Sequence, residues 1–245
     1  MQTYFSDKER YELFENELNL IKDKALKAFV KFVLCNDLKS NFFYLPSSST
    51  GKYHNPQDNG YQGLVRHTKK CVQIAKDLMN LEQWGFSDED KDIIISSLIL
   101  HDGAKYDEDV IFNEDGSLTG YTKVTHPFDM SKKILQYLEI FEFDKRLFKI
   151  AMCIETHSGQ WNMDRDGNVI AEKPKTKLQE FVHLCDYIAS RNYLEFDINF
   201  WFIFFTTMNC NLWVTLIYLL LSIGAKYIFF ILADCNLWVI DKKEW

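Results

Sequence analysis

The chain has 245 residues, 47% of them hydrophobic, and a formal net charge of -7. That length and apolar content suit a single domain with a substantial core. The acidic balance speaks against broad nucleic-acid binding: the short basic stretches at Lys132-Lys133 and from Lys173 to Lys177 form no long cationic stripe, so no long duplex is expected as a partner.

The N-terminus carries charges where a secretory signal would be apolar, and the six cysteines show neither a CxxC pair nor framework spacing. Both suit reduced thiols and a cytoplasmic location. Residues 7 to 36 read as one or two charged amphipathic helices, so residues 1–40 form a helical lead-in. Further on, Leu64, Cys71, Ile74 and Leu78 recur at helical intervals around His67 and place its imidazole on a buried stripe. A second amphipathic helix is expected from about Asp88, where Ile94, Ser97 and Leu98 lead to the adjacent pair His101-Asp102, whose side chains can reach one ion together.

Asn113-Glu114-Asp115-Gly116-Ser117 predicts a turn between short extended segments, followed by His126 with Thr125 and Asp129 beside it as candidates for orienting ligands. Leu147, Ile150 and Ile154 then lead at helical spacing to His157. A second hairpin turn is expected over Met163 to Asn168. Its Asp164, Asp166 and Asn168 alternate like the start of a calcium loop, but the glycine is out of place and Glu172 falls short of the twelfth position, so a turn is the expected meaning. Val182, Asp186 and Ala189 close the series on a last helix. Four helices thus aim ligand-type residues into one interior.

Imidazole with carboxylate is a donor set that suits Zn, Fe and Mn, and the string implies one or two divalent ions. Singly, each residue has a plainer reading, as a hydrogen-bonded core histidine or a capping aspartate. Together they strain that reading, because one small domain would bury them without a shared partner. Lys105 and Arg66 are candidates for substrate phosphate, with a solvated helix face as the alternative for each. Tyr61 and Trp161 are placed to stack on a base, with core packing as their alternative.

In their order, His67, His101-Asp102, His126, His157 and Asp186 resemble the signature of the HD superfamily of metal-dependent phosphohydrolases. A narrower likeness runs from Phe42-Phe43-Tyr44-Leu45-Pro46-Ser47-Ser48 through Tyr53-His54 and Gly63-Leu64-Val65-Arg66-His67-Thr68, and ends on His183-Leu184-Cys185-Asp186-Tyr187-Ile188-Ala189-Ser190-Arg191. These segments are similar to the HD domain of YhaM-type three-prime exoribonucleases and of stand-alone phage and bacterial HD proteins. The likeness covers about residues 35 to 198 and lacks the oligonucleotide-binding barrel such exonucleases carry. Gln62 stands where the family often has the first of two glycines, and His101-Asp102-Gly103-Ala104-Lys105 keeps the lysine of His-Asp-x-Gly-Lys in register with its glycine moved.

The resemblance implies a mainly α protein whose residues 41–198 form an HD-domain helical bundle with one or two short β-hairpins. It implies a first ion on His67, His101, Asp102 and Asp186, with Asp102 bridging to a second on His126 and His157. The ions are expected among Mn, Fe, Co, Ni, Mg and Zn. The implied activity is hydrolysis of a phosphate mono- or diester in a nucleotide, cyclic nucleotide or short oligonucleotide by metal-activated water, with Asp102 and Lys105 catalytic and Lys105 and Arg66 on substrate phosphate. Two alternatives are a di-iron oxygenase of HD type and a non-catalytic nucleotide-binding or membrane-tethered module.

Residues 199–245 form a hydrophobic tail. No residue from Phe200 to Ala225 is charged, a length that suits membrane contact over 200–233, with a helix packed on the domain as the alternative. The tail repeats Cys210-Asn211-Leu212-Trp213-Val214 as Cys235-Asn236-Leu237-Trp238-Val239. Two copies are too few for a solenoid, and no catalytic role is expected there.

Overall fold

The computed structural model describes residues 4–51, 54–141, 144–164 and 166–191, all within one compact unit spanning residues 1–198. The expectations for the tail, including membrane contact over 200–233, lie outside the described residues. Among the described residues no helix is long and apolar enough to cross a membrane.

The unit is mainly helical. Its helices are α1 (Asp7–Leu18), α2 (Lys24–Phe32), α3 (Gly63–Leu78), α4 (Asp88–Leu100), α5 (His126–Leu135), α6 (Lys145–Glu155) and α7 (Lys177–Ala189). Three start on a reciprocal capping box: Ser6 with Glu9, Ser87 with Asp90, and Thr176 with Gln179. Asp23 and Asp144 cap α2 and α6 by accepting from Leu26 N and Arg146 N.

Helix α4 is the hub, packing against α1, α2, α3, α6 and α7. The sequence pattern predicts an amphipathic α4, and the structure corrects this: every residue from Asp92 to Leu100 is buried. A run such as Ile93-Ile94-Ile95 followed by Leu98-Ile99-Leu100 is apolar around its whole circumference and stays out of water only with neighbours on all sides. The two serines in it, Ser96 and Ser97, return their hydroxyls to Asp92 O and Ile93 O at 2.7 and 2.8 Å, which removes the cost of burying them. The helix therefore delivers the two residues that follow it, His101 and Asp102, to the interior of the unit.

The expected hairpins are reduced to two isolated antiparallel bridges, Phe112 with Leu118 and Met163 with Val169, and no strand is present among the described residues. The turn chemistry explains why they go no further. Gly116 and Gly167 take positive φ, and the Asp164 carboxylate accepts the backbone N–H of Asp166 and Asn168, each at 2.9 Å. Each turn is closed on itself, and Asp164 is spent on its own loop rather than on calcium.

The approach to α3 is unusually close. A Cβ on Gly63 would fall 1.9 Å from Asp58 O and 2.9 Å from Pro46 Cα. Immediately before it, Gln62 holds a left-handed φ of 58°, a conformation that favours glycine. Position 62 thus keeps a glycine-type backbone with a side chain attached.

Candidate metal centre

The residues predicted as ligands meet at the inner ends of α3, α4, α6 and α7 and the start of α5. His67, His101, Asp102 and His157 are all at most 2% exposed. Two sets of donors face the two oxygens of Asp102. On the Oδ2 side, His101 Nε2 lies at 3.3 Å and His67 Nε2 at 3.7 Å, while Asp186 Oδ1 is 2.9 Å from His67 Nε2 and 3.7 Å from His101 Nε2. On the Oδ1 side, His126 Nε2 lies at 3.0 Å and His157 Nε2 at 3.5 Å, with 3.2 Å between the two nitrogens. Lys105 Nζ sits 2.6 Å from Asp102 Oδ2.

Backbone geometry sets which nitrogen faces the centre. His101, His126 and His157 each donate Nδ1–H to the carbonyl three residues earlier, Leu98, Lys123 and Ile154, at 2.8, 2.6 and 2.6 Å. A carbonyl can only accept, so the neutral ring presents a bare Nε2 lone pair to the centre. This is how a metal-binding imidazole is usually oriented. Thr125 and Asp129 were candidates for orienting His126, but that role falls to the Lys123 carbonyl. Thr125 Oγ1 instead donates to Asp129 Oδ2 at 3.0 Å, and Lys123 Nζ pairs with the same oxygen at 2.7 Å.

Such a convergence of acceptors calls for a cation. The lone pairs of His126 and His157 face each other and Asp102 Oδ1, and both His101 Nε2 and Asp102 Oδ1 are buried without a hydrogen bond. Ligands held about 2.1 Å from one ion lie about 3 to 3.5 Å from each other; the first-set separations, 2.9 to 3.7 Å, bracket that range. These buried His and Asp groups could hold a metal ion. Cys71, one helical turn after His67, adds a sulfur 3.6 Å from His67 Nε2, a donor that the sequence pattern assigns only to the apolar stripe. A further group, His54 with Asp58 and His67, is weaker because both Asp58 oxygens are already taken by Lys70 Nζ at 2.9 and 3.0 Å.

The electrostatics show what stands in for that cation. Burial disfavours a charge on His101, yet the carboxylates of Asp102 and Asp186 outweigh it and raise its pKa to about 10. Burial also opposes ionisation of Asp102, but Lys105 and His101 hold its carboxyl well below the usual carboxylate range. The Asp186 carboxyl is lowered in the same way, against burial, by His101 and His67. His126, by contrast, is pushed down to about 4 by burial and remains neutral. At neutral pH the ion-free cluster therefore keeps a proton on His101. That raised pKa stabilises the ion-free fold fully below about 6.5, and the contribution is lost as pH rises through about 10. A metal ion competes with the same proton. Its apparent affinity at the His67, His101 and Asp186 position is expected to rise with pH across 7 to 9, with about one proton released by the ion bound there. Calorimetry in buffers of different ionisation enthalpy checks this, and a pH-independent affinity would contradict it.

A cleft of about 180 Å³ opens onto the cluster, lined by Lys105, His126, His157 and Asp186 and also by Trp161 and Arg191. Arg66 is not brought to it: its Nε donates to Gln57 O at 2.8 Å. Tyr61 likewise does not line it. His54, Ser158, Ser190 and Arg191 do; the sequence marks His54, Ser190 and Arg191 only as parts of the family-like segments and gives none of the four a role. The available signal was that Ser190 and Arg191 follow Asp186 by one helical turn.

The loop carrying His157 is tied to α7. His183 Nδ1 pairs with His157 O at 2.7 Å, and Gly159, at φ 57°, passes so close that a Cβ would lie 2.1 Å from the His183 ring. Gly159→Ala is expected to cost at least about 1–2 kcal/mol from the left-handed backbone alone. Forced displacement of His157 should also weaken metal binding. Urea unfolding and a metal titration measure the two effects.

Against known proteins the chain stands apart: no family model, no curated protein and no solved structure matches it.

Proposed function

We propose that the protein is an HD-type metal-dependent phosphohydrolase acting on a phosphate ester of a nucleotide, cyclic nucleotide or short oligonucleotide. The observation that carries this reading is the division of donors across Asp102, with His67, His101 and Asp186 at one oxygen and His126 and His157 at the other. On this reading the helical unit is an HD bundle, Asp102 bridges two ion positions, and a cleft leads to both.

Divalent ions bound there supply Lewis acidity and bring the pKa of water toward neutrality, which suits in-line displacement at phosphorus. The chain's own residues do the rest. Lys105 holds Asp102 and offers an ammonium at the cleft wall to a phosphate oxygen. The backbone carbonyls of Leu98, Lys123 and Ile154 fix the rings of His101, His126 and His157. Cys35, Cys71, Cys153 and Cys185 are all buried, and burial is the leading cause of a raised thiol pKa at each, so a thiolate nucleophile is disfavoured among the described residues.

The test is hydrolysis of a generic phosphodiester and a nucleotide panel by the full chain, with Mn, Fe, Co, Ni, Mg or Zn added in turn. Metal-dependent release of phosphate or nucleotide is expected. A folded, metal-loaded protein that turns over no phosphate ester would sink the proposal, and oxygen uptake by the iron form would redirect it to an oxygenase.

A further inference from the structure

The cleft that the ligand cluster lines also takes in Trp161 and Arg191, which belong to a layered group with Tyr187. Trp161 is 51% exposed, yet one of its faces is fixed: its ring stacks on Tyr187 with centroids 5.5 Å apart and planes 13° from parallel. The Arg191 guanidinium lies 4.2 Å over the Tyr187 ring and 5.5 Å from Trp161. It is held by two further contacts, Nε to Tyr187 O at 3.1 Å and Nη2 to Ser190 Oγ at 2.8 Å.

All three residues are anchored to the ligand cluster through the chain. Tyr187 and Arg191 follow Asp186 on the same helix or its cap, while Trp161 follows His157 by four residues in the loop that His183 ties down. A half-exposed indole with one face locked costs little entropy when a flat ring settles on it. Lys105 and Arg191 both line the cleft, so an anion bound there has two cationic side chains in its wall.

We infer that Trp161 and Arg191 form a nucleoside-phosphate subsite, in which the nucleobase stacks on Trp161 while Arg191 pairs with phosphate oxygens facing Lys105. The inference rests on the phosphohydrolase reading for the phosphate and adds the base: a sugar phosphate without a flat ring leaves Trp161 unused. Arg191 then acts on any phosphate and Trp161 only on those bearing a ring.

The experiment is calorimetric binding to the Mn-loaded full chain of two non-hydrolysable phosphonate analogues, one of AMP and one of ribose 5-phosphate. The AMP analogue is expected to bind roughly 10-fold or more tighter, the scale of one base stacked on one aromatic ring. Trp161→Ala should erase that preference, Trp161→Phe should keep most of it, and Arg191→Gln should weaken both ligands by a similar factor. Equal binding of the two analogues to the wild type, or equal losses for both in Trp161→Ala, overturns the subsite. Preference without hydrolysis of any ester leaves the subsite standing while the phosphohydrolase reading falls; hydrolysis without preference does the reverse.

Discussion

Asp102→Ala is expected to abolish both metal binding and metal-dependent turnover. Its two oxygens are the meeting point of both donor sets, so its loss is felt at each proposed ion position, and Lys105 loses the carboxylate that places it. Loss of an outer-shell partner alone costs roughly 10- to 100-fold in affinity or activity, and a shared ligand should exceed that. The remaining ligands give a graded series. Asp186→Ala strikes the His67 and His101 side, whereas His157→Ala strikes only the His126 side. Metal content per chain, counted by elemental analysis after gel filtration, should fall close to zero for Asp102→Ala and to about half for His157→Ala. An Asp102→Ala protein that retains full metal content and activity would remove Asp102 from the centre altogether.

The largest effect on stability is expected away from the metal, at Lys70→Met. Lys70 and Asp58 are 1% and 0% exposed, and the ammonium bridges both carboxylate oxygens. This pair fastens α3, three residues beyond His67, to the short turn at Pro56–Asp58. The same turn is pinned through Asp58 O by Ser47 N at 2.9 Å and Ser47 Oγ at 3.1 Å. Removing the lysine leaves a buried carboxylate whose remaining cation among the described residues, Arg66 Nε, is 4.0 Å away. Stranding one partner of a buried pair costs about 3–5 kcal/mol, which for a domain of this size lowers Tm by about 10 °C. Replacing both residues, as Lys70→Met with Asp58→Leu, should recover much of the loss. Thermal unfolding of the three proteins decides it: a single variant as stable as wild type would show that the pair holds nothing.

Much of this arrangement is legible in the sequence because ligand spacing and helix periodicity report the same thing. His67 on its apolar stripe and Asp186 beside Val182 and Ala189 declare which way they face before any coordinates exist. What stays hidden is set by contacts between distant segments. The burial of α4 on every side is invisible to a pattern built on one wet face. Arg66 looks like a phosphate ligand from its place beside His67, yet a carbonyl nine residues upstream captures it. The hairpins fail for a local reason that sequence only half reveals: turn residues predict the reversal but not whether flanking segments pair beyond one bridge. Arg191 receives no role from the sequence because Trp161, which it meets, comes from a distant part of the chain.

The orientation of the three central imidazoles has a consequence for how the protein tolerates mutation. Each ring is set by a main-chain carbonyl, a group every amino acid carries. Replacing Leu98, Lys123 or Ile154 alters a side chain but leaves the acceptor in place wherever the backbone path is kept. Neutral drift can therefore rewrite the surroundings of the centre without unsetting the tautomers on which it depends, and sequences could diverge widely while preserving the same chemistry.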